Sequence, residues 1–351
     1  MEAVNPFIVG TPIVDEQNFY GRKALLRHIL KEFSNPAKNS FLLYGPRLIG
    51  KTSLLKQLEF LLSDEGYTQI YIDLSGKSKL SLNELLYEIS CVVAEACAFE
   101  PPRLENFDRH GRYFTEFFIP AIEKTDRFGP VALLFDVFDV PAQAGGKQNA
   151  AEFLPILARH FKALRQTKIV CSVGSHSRYM ALAQHFDCVL PVSRFSKAEL
   201  NAMMQTGSGQ TVEWSEAALE RLWSFTKGHP YLAQMFGNIV WSEFTHAGGA
   251  SRRVEKEDVE HACTIALPYL RQLFQTTWDD LSRDEQALFT LLLKSGDGPF
   301  SVKKILDKLG SNGRLQEINS ILGRLRMLDL FEHVGKDEDK IDFSVSLFKE
   351  W

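Results

Sequence analysis

From about residue 40 to 193 the chain alternates short apolar runs with amphipathic stretches. Phe41-Leu42-Leu43-Tyr44 has no charged position and reads as a buried strand, and Ser53–Leu62 then follows a helical period. Gln69–Leu74 returns to a strand pattern. Leu82–Ala98 places apolar residues at 82, 85, 86, 89, 92, 93 and 96, the spacing of a helix with one buried face. Val131–Val137, Lys168–Val173 and Cys188–Val192 read as strands and Ala150–Leu164 as a helix, with Pro101-Pro102 and Gly145-Gly146 in the connecting loops. Apolar strands separated by helices predict a mainly parallel sheet covered on both faces.

The flanks differ. Ahead of this block, Asn5-Pro6-Phe7 and Gly10-Thr11-Pro12 carry turn chemistry, and Ala24–Phe33 has a helical period. After Phe195 the strand pattern stops, and Lys197–Gln205, Ser215–Phe225, Tyr231–Phe244 and Glu255–Trp278 are all helical in spacing. Ser282 with Glu285 forms a capping box before a helix reaching Leu293. Val302–Leu309 and Leu315–Leu328 supply two more helices, and Leu330–Val334 can pair with Lys340–Val345 around Gly335-Lys336-Asp337. Three helices and a hairpin is the order of a winged helix. The expected organisation is an arm and helix over 1–38, an α/β core over 39–195, an all-α domain over 196–280 and a winged-helix domain over 281–351.

Composition narrows the function classes. With 351 residues, 45% hydrophobic and 24% charged, the chain can bury a real core, which excludes disordered and disulfide-stapled classes. A net charge of −4 gives no global pull toward nucleic acid or anionic lipid. The 5 cysteines form no Cys-x-x-Cys pair, which points to buried thiols rather than zinc or a disulfide framework. The first residues lack the basic and apolar regions of a signal peptide, and no window is long and apolar enough to cross a membrane. A cytoplasmic protein without membrane contact is the expectation.

The strongest motif is Gly45-Pro46-Arg47-Leu48-Ile49-Gly50-Lys51-Thr52, the G-x-x-x-x-G-K-[ST] phosphate loop, placed between a strand and a helix as that motif requires. Its glycines let backbone N–H groups approach phosphate oxygens, and the helix N-terminus adds partial positive charge. Lys51 suits the β- and γ-phosphates, and the Thr52 hydroxyl suits Mg²⁺. The second acid such a site needs is Asp136, ending the apolar run Val131-Ala-Leu-Leu-Phe135. A helix-capping aspartate is the plainer alternative there.

Further segments extend the pattern: Phe19-Tyr20-Gly21-Arg22 before the loop, Ser53-Leu54-Leu55 after it, Tyr71-Ile72-Asp73-Leu74, Val173-Gly174-Ser175 and Lys227-Gly228-His229-Pro230-Tyr231-Leu232. Together these resemble the STAND-type and archaeal-type AAA-related P-loop ATPases, relatives of origin-recognition initiators and of NOD-like receptor nucleotide-binding modules. The resemblance implies an ASCE-type core, a helical lid and a winged helix. It also implies an ATP- and Mg²⁺-dependent switch in a signalling, regulatory or bacterial defence assembly, with an effector or sensor protein as partner and homo-oligomerisation when triggered.

By position in that family, Tyr20, Gly21 and Arg22 line the adenine side; Gly45, Gly50, Lys51, Thr52 and Ser53 hold the phosphates, and Arg47 points into the phosphate loop. Ser175 is the polar sensor, and Pro230 touches base or ribose from the lid. The plainer readings are a loop serine for Ser175, a helix-start turn for Gly-His-Pro and a solvated side chain for Arg47.

Two departures matter. Val137 stands where the family commonly has a glutamate, so hydrolysis should be slow unless Asp139 or a partner supplies a carboxylate. No Met-His-Asp-type histidine follows the hairpin, and His333 lies within it. The competing readings are a winged-helix DNA-binding protein regulated by ATP and a pseudo-ATPase scaffold. Against the first, Ser282–Trp351 holds 11 Lys/Arg and 12 Asp/Glu, a poor balance for phosphate neutralisation, although Arg314, Arg324 and Arg326 leave a weak basic face on the third helix.

Overall fold

Five apolar runs pair into one parallel sheet: β1 (Ser40–Tyr44), β2 (Thr68–Asp73), β3 (Val131–Phe138), β4 (Thr167–Val173) and β5 (Cys188–Pro191). The strand order is β2-β3-β4-β1-β5, and every pairing is parallel. These features come from a computed structural model that describes residues 4–77, 80–107, 111–124, 129–138, 166–174, 183–207, 212–246, 252–279, 281–296, 298–308, 315–334, 337–345 and 347. The helix expected over 150–164 lies outside the described residues.

All seven residues of β4 are buried, which is why its centre, Ile169-Val170-Cys171, reads as a continuous apolar run rather than an alternating one. Helices α1 (Lys23–Phe33), α2 (Lys51–Asp64) and α3 (Leu82–Ala96) accompany the sheet. A capping box between Ser81 and Glu84 starts α3, whose Leu86, Ile89 and Val93 pack with Ile70, Leu133 and Phe135. The sequence reading missed a π-helical turn, Tyr113–Phe118, that runs into α4 (Ile119–Glu123). Five-residue spacing within the turn breaks the 3.6-residue period by which helices are recognised, and Pro120 hides the continuation.

The chain divides into two compact units. One comprises Pro12–Glu16 and Arg22–Ser193 and holds the parallel sheet. The other comprises Met1–Thr11, Gln17–Gly21 and Arg194–Trp351. In this second unit α5 (Lys197–Gly207), α6 (Glu216–Thr226), α7 (Pro230–His246) and α8 (Lys256–Asp279) are followed by α9 (Arg283–Lys294), α10 (Val302–Lys308) and α11 (Leu315–Met327). One apolar cluster runs through all of it, from Phe7 of the arm through Phe236 to Phe289, Phe343 and Leu347.

Three short strands escaped sequence reading. β6 (Val212–Trp214) and β7 (Arg252–Val254) pair in parallel between the helices. β8 (Phe300–Ser301) joins the expected hairpin of β9 (Phe331–Val334) and β10 (Asp337–Phe343) in the order β8-β10-β9. Runs of two or three residues are too short to show a period of two.

Arg194, the first residue of the unit's long segment, ties that segment to its far end. Its guanidinium donates to Ser344 O at 2.7 Å and to Glu332 Oε2 at 2.6 Å, and lies 3.2 Å from Asp329 Oδ1. Burial pushes the Asp329 carboxyl up to about 6, while the Arg194 charge pulls it down. Among the described residues no helix is long and apolar enough to cross a membrane.

Candidate functional site

The loop between β1 and α2 is shaped by two glycines. A Cβ on Gly45 would sit 2.5 Å from Val192 O, so only glycine lets the end of β1 lie against the chain leaving β5. There Val192 N donates to Tyr44 O at 2.8 Å. Gly50 adopts φ +89° as the N-cap of α2, a left-handed geometry that glycine enters without strain. Having no side chain, it cannot cap the first amides of α2, which stay directed at whatever the loop encloses. Leu48 in the same loop has φ +58° and is exposed, a costly conformation for a branched-chain residue. Arg47 beside it is exposed as well.

Lys51 opens α2, and its ammonium donates to Gly45 O at 3.0 Å and Pro46 O at 2.7 Å, so it lies across the loop. Thr52 follows in the same first turn, half-buried. The Ser53 hydroxyl accepts from Ile13 N at 3.0 Å, and Gln57 one turn on donates to Val14 O at 2.7 Å. Ser53 is thereby engaged with the N-terminal segment.

Arg22 braces the loop from outside. It is 8% exposed, has φ +59° and stands at the N-cap of α1. Its guanidinium donates to Gly50 O at 3.2 Å, to Ser193 O at 3.1 Å and to Ile49 O. The structure thus places Arg22 on three backbone carbonyls, two of them in the loop itself.

Asp136 is 1% exposed near the end of β3. Its Oδ1 accepts from the Ser172 hydroxyl at 2.6 Å and its Oδ2 from the Tyr71 hydroxyl at 2.7 Å. Burial, then the Asp136 carboxylate beside it, push the Tyr71 phenol well above its ordinary range, so it stays a donor. Lys56 of α2 stands 3.2 Å over the centre of the Tyr71 ring and pairs with Glu59 at 2.9 Å. This places α2, Tyr71, Asp136 and Ser172 on one face of the sheet.

Arg22, Gly45, Arg47, Gly50, Lys51, Thr52, Ser53 and Asp136 therefore all belong to the sheet-bearing unit, while Tyr20, Gly21 and Pro230 belong to the other. There Gly21 has φ +70°, and a Cβ on it would meet the Phe195 ring at 2.9 Å. Tyr20 packs on the apolar cluster, and burial raises its phenol pKa. Pro230 is the first residue of α7 and is buried, a placement suited to starting a helix. Asp139 and Ser175 lie outside the described residues.

Sequence reasoning missed Tyr71 and Ser172. A faint mark was present: Ser172 is a hydroxyl within the apolar run Ile169–Val173. The β3–β4 register shifts just after the Phe135–Cys171 pair, and the Ser172 hydroxyl reaches Asp136 across that irregularity.

Residues 19–236 match a family model described as an ATPase domain predominantly from Archaea. Among solved structures, the Walker-type ATPase paby2304 of Pyrococcus abyssi aligns over 98% of this chain and 99% of its own, with TM-score 0.65 and 15% identity, a likeness of fold. The Orc1 protein of Aeropyrum pernix, solved in complex with DNA, aligns over 95% and 91% at TM-score 0.48 and 18% identity. RuvB of Thermotoga maritima aligns over 96% and 97% at TM-score 0.48 and 16% identity. No curated protein sequence matches the chain.

Proposed function

The chain belongs to the family of ATPase domains found predominantly in Archaea, and from there we propose that it is a STAND-type switch whose terminal segments respond to the nucleotide it holds. The carrying observation is a phosphate loop opening directly into α2, on the same sheet face as the buried carboxylate of Asp136. The loop amides from Gly45 to Thr52 would cradle the phosphates of ATP, with Lys51 on the β- and γ-phosphates. Thr52 and Asp136 are the residues that would hold Mg²⁺, and a buried carboxylate with a threonine hydroxyl is the hard oxygen donor set that ion takes. When bound, the ion neutralises charge on the phosphate oxygens.

Val137 after Asp136 has no lone pair with which to orient a water, so turnover depends on a carboxylate supplied from elsewhere, an arrangement that suits a switch. We read the segment from Leu281 onward as a winged helix that works inside the protein and against an effector or sensor partner, or further copies of the chain, within a regulatory or defence assembly. Two observations weigh against DNA as its partner. Arg324 lies 2.8 Å from the buried Glu285 carboxylate. Arg326 contacts His333. The two arginines of α11 that would form a basic face are exposed but each already has a partner within its own unit.

A ligand shifts a conformational equilibrium only by its differential affinity for the two states. The switch therefore predicts that ATP- and ADP-loaded protein differ in amide exchange within 194–347. Identical protection with the two nucleotides, both bound, would favour the scaffold reading instead.

A further inference from the structure

We infer that Asp73 is the carboxylate that orients the attacking water in this site, the task Val137 has no group to perform. The inference rests on the ATP-binding reading above. In the β2–β3 pairing Tyr71 lies opposite Leu134, Ile72 opposite Phe135 and Asp73 opposite Asp136. Neighbouring strands are about 4.8 Å apart. The 2.7 Å bond from the Tyr71 hydroxyl to Asp136 puts those two side chains on one face. Alternation then puts Asp73, two residues beyond Tyr71, on that face too.

The position along the strand also fits. Helix α2 follows β1 and returns to feed β2, so it runs antiparallel to the strands it covers. With Lys56 over the Tyr71 ring, Lys51 lies about 7.5 Å nearer the C-terminal edge of the sheet, at 1.5 Å per helical residue. Asp73 lies about 6.6 Å beyond Tyr71 toward the same edge, at roughly 3.3 Å per strand residue. Along the strand direction Asp73 is thus level with the turn that carries Lys51 and Thr52, with β3 and β4 between its strand and β1.

The two carboxylates have opposite environments, which suits a division of labour. Asp136 is 1% exposed with a hydroxyl donor on each oxygen. Asp73 is exposed on β2, at the edge of the sheet, and its Oδ1 accepts from Ser75 N at 2.8 Å. That local turn holds the carboxylate at the exposed end of β2. In the step, the water oxygen bonds to the γ-phosphorus as the bond to the β–γ bridging oxygen breaks. ADP leaves with that electron pair, and the water proton passes to Asp73 Oδ2 and on to solvent.

The experiment compares the full chain with Asp73→Asn, Asp73→Glu and Asp139→Asn. It measures direct ATP binding, single-turnover hydrolysis, and affinity for ADP with aluminium fluoride, a mimic of the transferring phosphoryl group. Asp73→Asn should keep ATP affinity within about twofold, because its contact is made in the transition state. It should lose about 10²–10⁴-fold in hydrolysis and bind the mimic no better than ADP alone, while Asp73→Glu keeps part of both. Wild-type hydrolysis by Asp73→Asn overturns the assignment, as does a loss confined to Asp139→Asn. A wild type that binds ATP yet neither hydrolyses it nor prefers the mimic to ADP also overturns it. Failure of the wild type to bind ATP at all would instead strike the ATP reading itself.

Discussion

Arg22→Ala should lower stability by about 3 kcal/mol and leave a phosphate loop that binds ATP at least about tenfold more weakly. The guanidinium is buried and donates to the carbonyls of Ile49, Gly50 and Ser193. A hydrogen bond from a charged donor contributes about 1.5–3 kcal/mol, and an acceptor left buried without a partner costs about 1–3 kcal/mol. The three bonds act as a unit, so their values do not add. Removing them frees the carbonyls of residues 49 and 50 to rotate, and the loop amides that should face phosphate rotate with them. Arg22→Lys should recover only part, since one ammonium cannot reproduce a planar fork spanning two segments. Melting curves and ATP titration well below the melting temperature separate the two effects. An Arg22→Ala protein that melts with the wild type would refute the bracing role.

Asp136→Ala should act in the opposite manner, with a large effect on ligand and a small one on fold. Substitution removes two hydroxyl donors' acceptor, which destabilises, but it also removes the desolvation cost of a carboxylate that is 1% exposed. These terms offset, so stability should change by less than about 2 kcal/mol. Mg²⁺ held by the carboxylate is lost with it, and the gain in ATP affinity on adding Mg²⁺ should shrink at least about tenfold. Titrations with and without Mg²⁺ measure this directly. A full Mg²⁺ effect in Asp136→Ala would remove Asp136 from the metal site.

The sheet and the loop were legible because their determinants are local. An unbroken apolar run such as Phe41–Tyr44 needs no knowledge of its neighbours to be read as a buried strand, and the glycines and lysine of the loop are close in sequence. The contacts that were missed join residues far apart along the chain. Arg22 meets carbonyls 28 and 171 residues away, and Tyr71 and Ser172 meet Asp136 at separations of 65 and 36. The roles of Tyr71 and Ser172 depend on the register of β2, β3 and β4, which strands joined by long connections do not reveal in sequence. Arg22 is instructive: sequence resemblance implied a place on the adenine side, and the structure adds a second role, its guanidinium on the loop backbone. The π-turn at Tyr113–Phe118 and the strands β6, β7 and β8 were hidden for a local reason, spacings too irregular or too short to register as a period.

Calorimetric titration of the full chain with ATP and Mg²⁺, beside Lys51→Ala, decides whether the loop is a nucleotide site. Lys51 is the loop's ammonium, bonded to Gly45 O and Pro46 O, and its loss removes a charge-assisted contact to the terminal phosphates. Wild type should bind one ATP saturably, and Lys51→Ala should bind about 10–100-fold more weakly while melting at the same temperature, since the ammonium is half-exposed and carries little of the fold. Equal affinity in the two proteins, or no binding by the wild type, would contradict the assignment.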